Sequence, residues 1–215
     1  MFRGSIVAIA TPFKGGKIDE EAYRELIEFQ IENGTSAIVP SGTTGESATL
    51  NMEEHARVID IAVEAVNKRV PVIAGTGGNS TSEAIELTAH AKKVGADATL
   101  QVTPYYNKPT PEGLYQHFKA IADAVPLPQV LYNVPGRTSV NMLPETVARL
   151  AQLPEVVAIK EASGNLGQMA EIVKLAGDNI TLLSGDDNVT LPVLAIGGTG
   201  VISVVANIVP KDTAD

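Results

Sequence analysis

Short runs of β-branched and aliphatic residues alternate along this chain with longer amphipathic stretches. Eight of the short runs predict β-strands, at residues 6–10, 37–40, 70–74, 98–102, 129–132, 156–160, 180–184 and 201–204. The strand starts recur about every 28 residues, a spacing that suits a strand followed by a helix and is too long for hairpins. The pattern therefore predicts a parallel sheet of eight strands with helices between them.

The stretches between the strands carry signals for where helices begin and end. The first helix is predicted to begin after Asp19. Two more open with a residue pair in the capping-box relation, Asn51 with Glu54 and Ser80 with Glu83. Gly95 and Gly177 stand where left-handed C-caps belong. Further helices are predicted at residues 111–124, 144–152, 166–176 and 189–196.

Such a repeat fits either a closed (β/α)8 barrel or an open, doubly wound sheet. Nucleotide-binding motifs would favour the open sheet, but both candidates are incomplete. The run 75–80 has Ser80 where a dinucleotide fingerprint needs its third glycine, and the run 42–47 lacks the Gly-Lys-Ser/Thr ending of a phosphate-binding loop. Even spacing without a linker predicts one domain over residues 1–215, a (β/α)8 TIM barrel with its chemistry at the C-terminal ends of the strands.

Composition narrows the possible functions. A hydrophobic share of 44% in 215 residues rules out a disordered chain. The formal charge of −9, without a concentrated Lys/Arg face, argues against a nucleic-acid or anionic-membrane partner. Absence of cysteine excludes disulfides, thiolate metal sites and a cysteine nucleophile. The three histidines, His55, His90 and His117, fall on predicted helices without ligand spacing, so no metal site is predicted.

Two apolar stretches bear on cellular location. Residues 6–10 are too short for the apolar core of a signal peptide. Residues 188–210 carry no charge and are long enough to span a bilayer. Pro192, the run 197–200 and Asn207 divide this stretch into a short helix, a turn and a buried strand. A cytoplasmic protein without a membrane partner is therefore expected.

Lys160 is the most informative polar residue at a strand end, because it closes an apolar strand and is expected to point into the barrel mouth. Burial disfavours an ammonium group. Lowering a lysine pKa from ~10.4 to ~7–8 corresponds to roughly 4 kcal/mol in favour of the neutral amine. A neutral amine attacks carbonyl groups and forms a Schiff base. The alternative is that Lys160 forms an ion pair with a buried carboxylate such as Asp186 or Asp187.

Tyr132 and Thr43 lie at the ends of two other predicted strands. Schiff-base formation needs proton transfers, and a chain of hydroxyl groups can provide them. Each residue also has a structural interpretation, which is packing at the barrel rim for Tyr132 and turn formation between two glycines for Thr43. Their shared location at strand C-termini favours the chemical interpretation.

Four motifs now carry a family resemblance: residues 42–46 (GTTGE), 105–107 (YYN), 132–135 (YNVP) and 159–164 (IKEASG). Together they resemble the pyruvate-dependent class I lyases and aldolases. Their order and spacing over essentially the whole chain are most similar to the 4-hydroxy-tetrahydrodipicolinate synthase (dihydrodipicolinate synthase) family. The resemblance implies a lyase of diaminopimelate and lysine biosynthesis that condenses pyruvate with L-aspartate 4-semialdehyde, without a metal or organic cofactor.

The resemblance also implies roles for individual residues. Lys160 forms the Schiff base with pyruvate, Tyr132 donates and accepts protons, and Thr43 links Tyr132 to Tyr106. In the family, Tyr106 reaches into the site of a neighbouring subunit, which implies a homo-oligomer, either a dimer or a dimer of dimers (homotetramer). The implied substrate-binding residues are Thr44, Arg137, Gly185 and Ile202. A guanidinium at Arg137 can hold the carboxylate of the semialdehyde as a bidentate pair, although a surface salt bridge is its alternative.

A regulatory lysine site is a further implication. In feedback-inhibited members lysine binds at a dimer interface, and the matching residues here are Ser47, Ala48, His55, Asn79, Glu83 and Tyr105. Met52 departs from the histidine that some members carry. Glu83 can pair with the lysine ammonium or serve the capping box with Ser80.

Other interpretations remain open. One is a different pyruvate Schiff-base lyase, either an N-acetylneuraminate lyase or a 2-keto-3-deoxy sugar acid aldolase, although those enzymes typically lack an arginine at the position of Arg137. Another is a catalytically silent, truncated barrel. Residues 210–213 resemble the start of an eighth helix, with proline in the first turn. The resembling family continues with that helix and a helical extension, so we expect a barrel truncated after strand eight with apolar surface exposed.

Overall fold

A computed structural model describes residues 2–215 of the chain. Its main sheet has eight parallel strands in the order β2-β1-β8-β7-β6-β5-β4-β3. The strands are β1 (Gly4–Ala8), β2 (Ala37–Val39), β3 (Ile73–Gly75), β4 (Ala98–Val102), β5 (Gln129–Asn133), β6 (Val156–Glu161), β7 (Thr181–Ser184) and β8 (Gly200–Ser203). This order is that of a barrel, and it confirms the predicted (β/α)8 fold.

The barrel closes between β2 and β3, where the pairing is sparse. A single bridge joins Ile38 to Val72, and the Gly75 amide donates to the Pro40 carbonyl at 2.9 Å. At Gly75 a Cβ atom would lie 2.2 Å from the Ser41 carbonyl oxygen. Glycine is therefore required at this point because two backbone segments meet there.

The helices lie around the sheet and agree closely with the predicted segments. They are α1 (Glu20–Glu32), α2 (Met52–Val66), α3 (Thr81–Val94), α4 (Pro111–Ala124), α5 (Pro144–Leu150), α6 (Leu166–Ala176), α7 (Thr190–Ala195) and α8 (Pro210–Ala214). The segments predicted for α4 and α6 match to the residue. Asp19 caps α1 by accepting from the Ala22 amide, as its position before the helix predicted.

The structure differs from the sequence-based expectation in three local features. A hairpin of Phe13–Lys14 and Lys17–Ile18 follows β1 and was not predicted, because its strands are only two residues long. Gly177 has φ 56° and ψ −139°, outside the left-handed helical region that Gly95 adopts. The capping box at Ser80 is one-sided: its hydroxyl accepts from the Glu83 amide, whereas the Asn51–Glu54 box has both hydrogen bonds.

The uncharged stretch 188–210 divides as predicted, into α7, a turn at Gly197 and the buried β8. Within residues 2–215, no helix is both long and apolar enough to cross a bilayer. Large apolar side chains are exposed around this end of the chain, among them Leu191 at 78% and Ile208 at 80%. The expected truncation after strand eight stays a prediction.

Successive side chains of each strand point alternately into the barrel interior and into the layer between the sheet and the helices. The β5–β6 register shifts by one residue between Gln129 and Val130, so β6 has an extra residue at Val157. Beyond this bulge, Ala158 belongs to the interior cluster and Ile159 packs in the helix-facing layer. Lys160 consequently points inward, and the next residue points outward.

Candidate active site

Lys160 lies at the end of β6 and is only 4% exposed. Its Nζ atom is 4.3 Å from the centre of the Tyr132 ring, and the two residues are direct partners in the β5–β6 ladder. Burial lowers the pKa of Lys160 to about 8. Roughly a tenth of the amine is then neutral at pH 7, compared with less than a thousandth for an ordinary lysine. The structure therefore contains an amine that is ready to act as a nucleophile near neutral pH.

Three charged side chains near Lys160 also act on its pKa. Asp186 and Asp187 raise the pKa of Lys160 and Arg137 lowers it, but burial is the largest effect. The salt bridges formed by residues 2–215 do not include Lys160. Asp187 instead accepts hydrogen bonds from the Val204 and Val205 amides at 3.1 and 3.2 Å. The ion pair considered as an alternative for Lys160 is thus not formed.

Tyr132 and Thr43 are brought together across the barrel mouth. Both line a small inner cavity between β5 and the loop that follows β2. Burial raises the pKa of the Tyr132 phenol, and the neighbouring Thr43 side chain opposes that rise. The phenol therefore stays protonated at neutral pH and can act as a proton donor.

Tyr106 does not join this group within the chain. It is 90% exposed, and its backbone has φ 71°, in the left-handed region that a bulky side chain rarely adopts. Holding such a residue there costs on the order of 1–3 kcal/mol. The following residue, Asn107, fixes the turn by donating from its side chain to the Asn79 carbonyl at 3.2 Å. The turn thus presents Tyr106 to the surface of the chain.

The four residues predicted to bind substrate lie at different depths. Ile202 is fully buried in the barrel interior, on β8. Gly185 follows β7, and its amide donates to the Glu161 carbonyl at 2.8 Å. Thr44 is half-buried in the loop after β2. Arg137 is exposed on a short helix, Pro135–Thr138, that directly follows β5.

A cleft of about 680 Å³ adjoins the barrel mouth. Thr43 and Arg137 line it together with most of the residues predicted for lysine binding, namely Ser47, Ala48, His55, Glu83 and Tyr105. Asn79 is not among the lining residues. The His55 ring lies 2.6 Å from the Gly75 carbonyl through Nε2, and burial lowers its pKa. The predicted regulatory residues therefore share a cleft with the predicted acceptor site.

The Gly75–Gly77 run, which resembled part of a nucleotide fingerprint, has a packing role. A Cβ on Gly77 would lie 2.2 Å from the Val102 amide nitrogen. Both glycines thus let the chain run close to neighbouring backbone. Among residues 2–215, no group of three or more potential metal ligands is found.

The sequence analysis missed a set of buried polar residues directly behind Lys160. Glu161 is fully buried and accepts hydrogen bonds from Asn133, Ser163 and Gln168. A glutamate directly after the lysine, at the end of an apolar run, was the available signal in the sequence.

Comparison with known proteins gives a consistent result. The model of the dihydrodipicolinate synthetase family matches residues 1–215. The 4-hydroxy-tetrahydrodipicolinate synthases of Geotalea uraniireducens and Geobacter sulfurreducens are 70% and 67% identical to the chain, over 100% of it and 74% of each relative. Dihydrodipicolinate synthase from Aquifex aeolicus superposes with a TM-score of 0.98 at 53% identity, over 99% of this chain and 73% of that one. The chloride-inhibited enzyme from Acinetobacter baumannii, solved in complex with pyruvate, gives 0.97 at 52% identity, over 100% and 74%.

Proposed function

Because the chain belongs to the dihydrodipicolinate synthetase family, we propose that it acts as a 4-hydroxy-tetrahydrodipicolinate synthase. In this proposal it condenses pyruvate with L-aspartate 4-semialdehyde. The observation that carries the proposal is Lys160, a buried lysine without an ion-pair partner in residues 2–215, whose Nζ lies against the Tyr132 ring at the barrel mouth.

The first step is the attack of the neutral Lys160 amine on the keto carbon of pyruvate. A C–N bond forms, and the keto oxygen takes a proton to give a carbinolamine. Loss of water from this intermediate leaves the Schiff base. The Tyr132 ring lies 4.3 Å from the amine, and its phenol passes protons to and from the oxygen that leaves. Thr43, which lines the same inner cavity as Tyr132, carries the proton on.

In the second step the Schiff base loses a proton from the pyruvate methyl group and becomes an enamine. The enamine carbon attacks the aldehyde carbon of the semialdehyde, forming a C–C bond and an alkoxide that takes a proton. The amino group of the semialdehyde then attacks the Schiff-base carbon and the Lys160 amine leaves. The ring closes, the lysine is regenerated, and one water has been released overall.

Arg137 supports the choice of acceptor in this proposal. It lines the cleft beside Thr43 and lies within electrostatic reach of both Lys160 and Tyr132. A guanidinium binds a carboxylate through two parallel hydrogen bonds. We therefore assign Arg137 to the carboxylate of L-aspartate 4-semialdehyde, and Thr43 and Thr44 to the carboxylate of pyruvate. Gly185 and Ile202 then line the floor of the pyruvate site.

Tyr106 supports the proposal of an oligomer. Its strained backbone and its exposure present the phenol away from its own barrel. A dimer in which Tyr106 enters the neighbouring site would complete the chain from Tyr132 through Thr43 to Tyr106. The proposed assembly is a dimer or a dimer of dimers.

Borohydride trapping tests the proposed chemistry. The protein is incubated with pyruvate, reduced, digested and mapped by mass spectrometry, and a reduced pyruvate adduct is expected on Lys160. Acceptor choice is tested separately with pyruvate and each aldehyde. Aspartate semialdehyde should be consumed, whereas N-acetylmannosamine and glyceraldehyde should not. A folded sample without an adduct would reject every Schiff-base activity, and consumption of a sugar aldehyde would favour the sugar-acid lyases.

The pH dependence of trapping follows from the pKa of Lys160. Since burial lowers that pKa to about 8, the rate of adduct formation should rise about tenfold per pH unit below pH 8 and level off above it. The measurement is the initial trapping rate at saturating pyruvate between pH 6 and pH 10. A rate that keeps rising to pH 10 would show that Lys160 is not desolvated.

The proposed lysine site gives a binding prediction. Glu83 lines the cleft, and its carboxylate does not complete the capping box with Ser80. Glu83→Gln keeps the helix position and removes the charge that would pair with the lysine ammonium. Calorimetry should show lysine binding to the native protein and at least tenfold weaker binding to this variant, while Glu86→Gln, on the same helix, leaves it unchanged. Native protein that binds no lysine contradicts the regulatory proposal without touching the catalytic one.

A further inference from the structure

Glu161 is a fully buried carboxyl group that the proposed mechanism does not use. It follows Lys160 on β6 and points to the opposite side of the sheet, toward the helices. The salt bridges within residues 2–215 do not include it, and burial raises its pKa. Burying an ionisable group without a cation is costly unless hydrogen bonds compensate. Its presence beside the reactive lysine therefore requires an explanation.

Hydrogen bonds from three directions supply that compensation. Asn133 on β5 donates from Nδ2 to the two carboxylate oxygens of Glu161 at 3.2 and 2.9 Å. The Ser163 amide, in the turn after β6, donates at 2.7 Å. Gln168, in the first turn of α6, donates from Nε2 at 3.3 Å. The carboxyl group thus joins the ends of two strands to the start of a helix.

The network extends into the segment before α5. Asn133 accepts from the Met142 amide through Oδ1 at 2.9 Å and donates to the Asn141 side chain at 2.8 Å. The Asn141 and Gln168 amides exchange two hydrogen bonds of 2.8 and 3.0 Å. Every side chain in this network therefore has at least two partners, which fixes its rotamer.

The strand register connects this network to the reactive side chains. Tyr132 pairs with Lys160, and Asn133 pairs with Glu161 directly after them. The inward pair belongs to the proposed active site and the outward pair to the network. Because side chains alternate in a strand, fixing the outward pair fixes the position of the inward pair on the same backbone.

We propose that Glu161 is a positioning residue, which holds the ends of β5 and β6 together from outside the barrel so that the Lys160 amine and the Tyr132 phenol keep their reactive geometry. This inference rests on the proposed function. Displacement of reacting groups by about 1 Å can reduce a rate on the order of a hundredfold. Glu161 itself touches neither substrate.

Glu161→Gln is the first test, because glutamine has the same shape but replaces one accepting oxygen with a donor. One of the three groups that donate to Glu161 then faces the new amide donor of the glutamine. Because that hydrogen bond is lost, the ends of β5 and β6 should be held less firmly. The rate of borohydride trapping per folded molecule should fall at least tenfold. Water admitted around Lys160 should also move the midpoint of the trapping pH profile upward by about half a unit or more.

The direction in which the midpoint of the trapping pH profile moves distinguishes a positioning role of Glu161 from a purely electrostatic effect of its charge. The charged groups that act on Lys160 are Asp186, Asp187 and Arg137, and the variant leaves all three in place. Removing a negative charge at Glu161 would by itself lower the pKa of the lysine. An upward shift is therefore the result expected of a positioning role, and a downward shift or none contradicts it.

Rescue and control variants complete the experiment. The double variant E161Q with N133D restores a donor–acceptor pair between positions 161 and 133, while it removes the hydrogen bond from position 133 to Asn141, and it should recover part of the lost rate. Gln129→Met alters a buried polar residue at the other end of β5 and should change stability without changing the trapping rate or its pH midpoint. If Glu161→Gln does not fold, Gln168→Ala removes a single donor at a half-buried site and should shift both readouts in the same direction by less.

Failure of this inference is distinguishable from failure of the proposed function. Native protein that forms no adduct with pyruvate overturns the function. If the native protein forms the adduct, the positioning role alone is overturned when the Glu161→Gln protein traps pyruvate at the native rate, or when its pH midpoint stays the same or moves downward.

Discussion

Lys160→Met is expected to abolish the reduced pyruvate adduct and, at the same time, to raise the stability of the protein at neutral pH. The adduct is lost because methionine has no amine. The stability rises because the native fold keeps a buried lysine whose pKa is about 8 instead of its ordinary value of 10.5. A shift of this size corresponds to roughly 3 kcal/mol of unfavourable free energy at pH 7, which a methionine of similar shape does not incur.

The pH dependence of that gain follows from linkage. Below the folded pKa near 8, both folded and unfolded states carry a protonated Lys160, and the full penalty is present. As pH rises from about 8 to the unfolded pKa, only the unfolded state still binds the proton, and the native protein recovers stability. The advantage of Lys160→Met, measured as the difference in unfolding free energy, should therefore shrink between pH 8 and pH 10.5.

A matched control is Lys174→Met on α6, where the side chain is 72% exposed. This variant should form the adduct normally and change the unfolding free energy by less than about 0.5 kcal/mol. Two results would contradict the assignment of Lys160: an adduct that persists in the Lys160→Met protein, or a loss of stability at pH 7 relative to the native chain.

Tyr132→Phe is expected to slow catalysis about a hundredfold or more, while leaving the fold and the attachment site of pyruvate unchanged. Phenylalanine keeps the ring that packs 4.3 Å from the Lys160 amine and removes only the hydroxyl that transfers protons. Loss of a general acid–base group typically costs a factor of 10² to 10⁴. Adduct formation on Lys160 should become slow but reach the same extent with long incubation.

The control for this variant is Tyr115→Phe. Tyr115 lies on α4 and stacks against Arg149, whose guanidinium carbon is 3.6 Å from the ring centre. The same atom is removed there without access to the barrel mouth, so steady-state and trapping rates should match the native protein. A Tyr132→Phe protein with native trapping and turnover rates would show that another group transfers the protons.

Periodicity predicted the parts of this fold that depend on local sequence. Strand β4 and helices α4 and α6 were predicted to the residue, because regular burial, proline at a first turn and flanking polar residues define them locally. The location of Lys160 at a strand end was predictable for the same reason, since it follows a continuous apolar run. Its lack of an ion-pair partner was not, because the side-chain direction of Asp187 depends on backbone amides after β8.

Two other features depend on contacts that no local pattern records. The close approach at Gly75 and Gly77 brings together segments from different repeats, so their glycines resembled a ligand-binding loop. The outward direction of Glu161 depends on the bulge at Val157, which changes the alternation of β6 by one residue. A one-residue irregularity inside an apolar run has no sequence signature, although it decides which of Lys160 and Glu161 faces the barrel interior.

The sparse pairing between β2 and β3 has a consequence for motion. With one bridge and few hydrogen bonds across it, this seam is where the barrel opens with the least loss of pairing, so amide protons at Ile38 and Gly75 should exchange with solvent sooner than those of β5 and β6. Thr43 follows β2 and would move with one side of the opening, whereas Lys160 and Tyr132 lie on strands with a continuous ladder. Lys160 and Tyr132 therefore lie in the part of the barrel with continuous strand pairing, whereas Thr43 lies beside the seam that opens more readily.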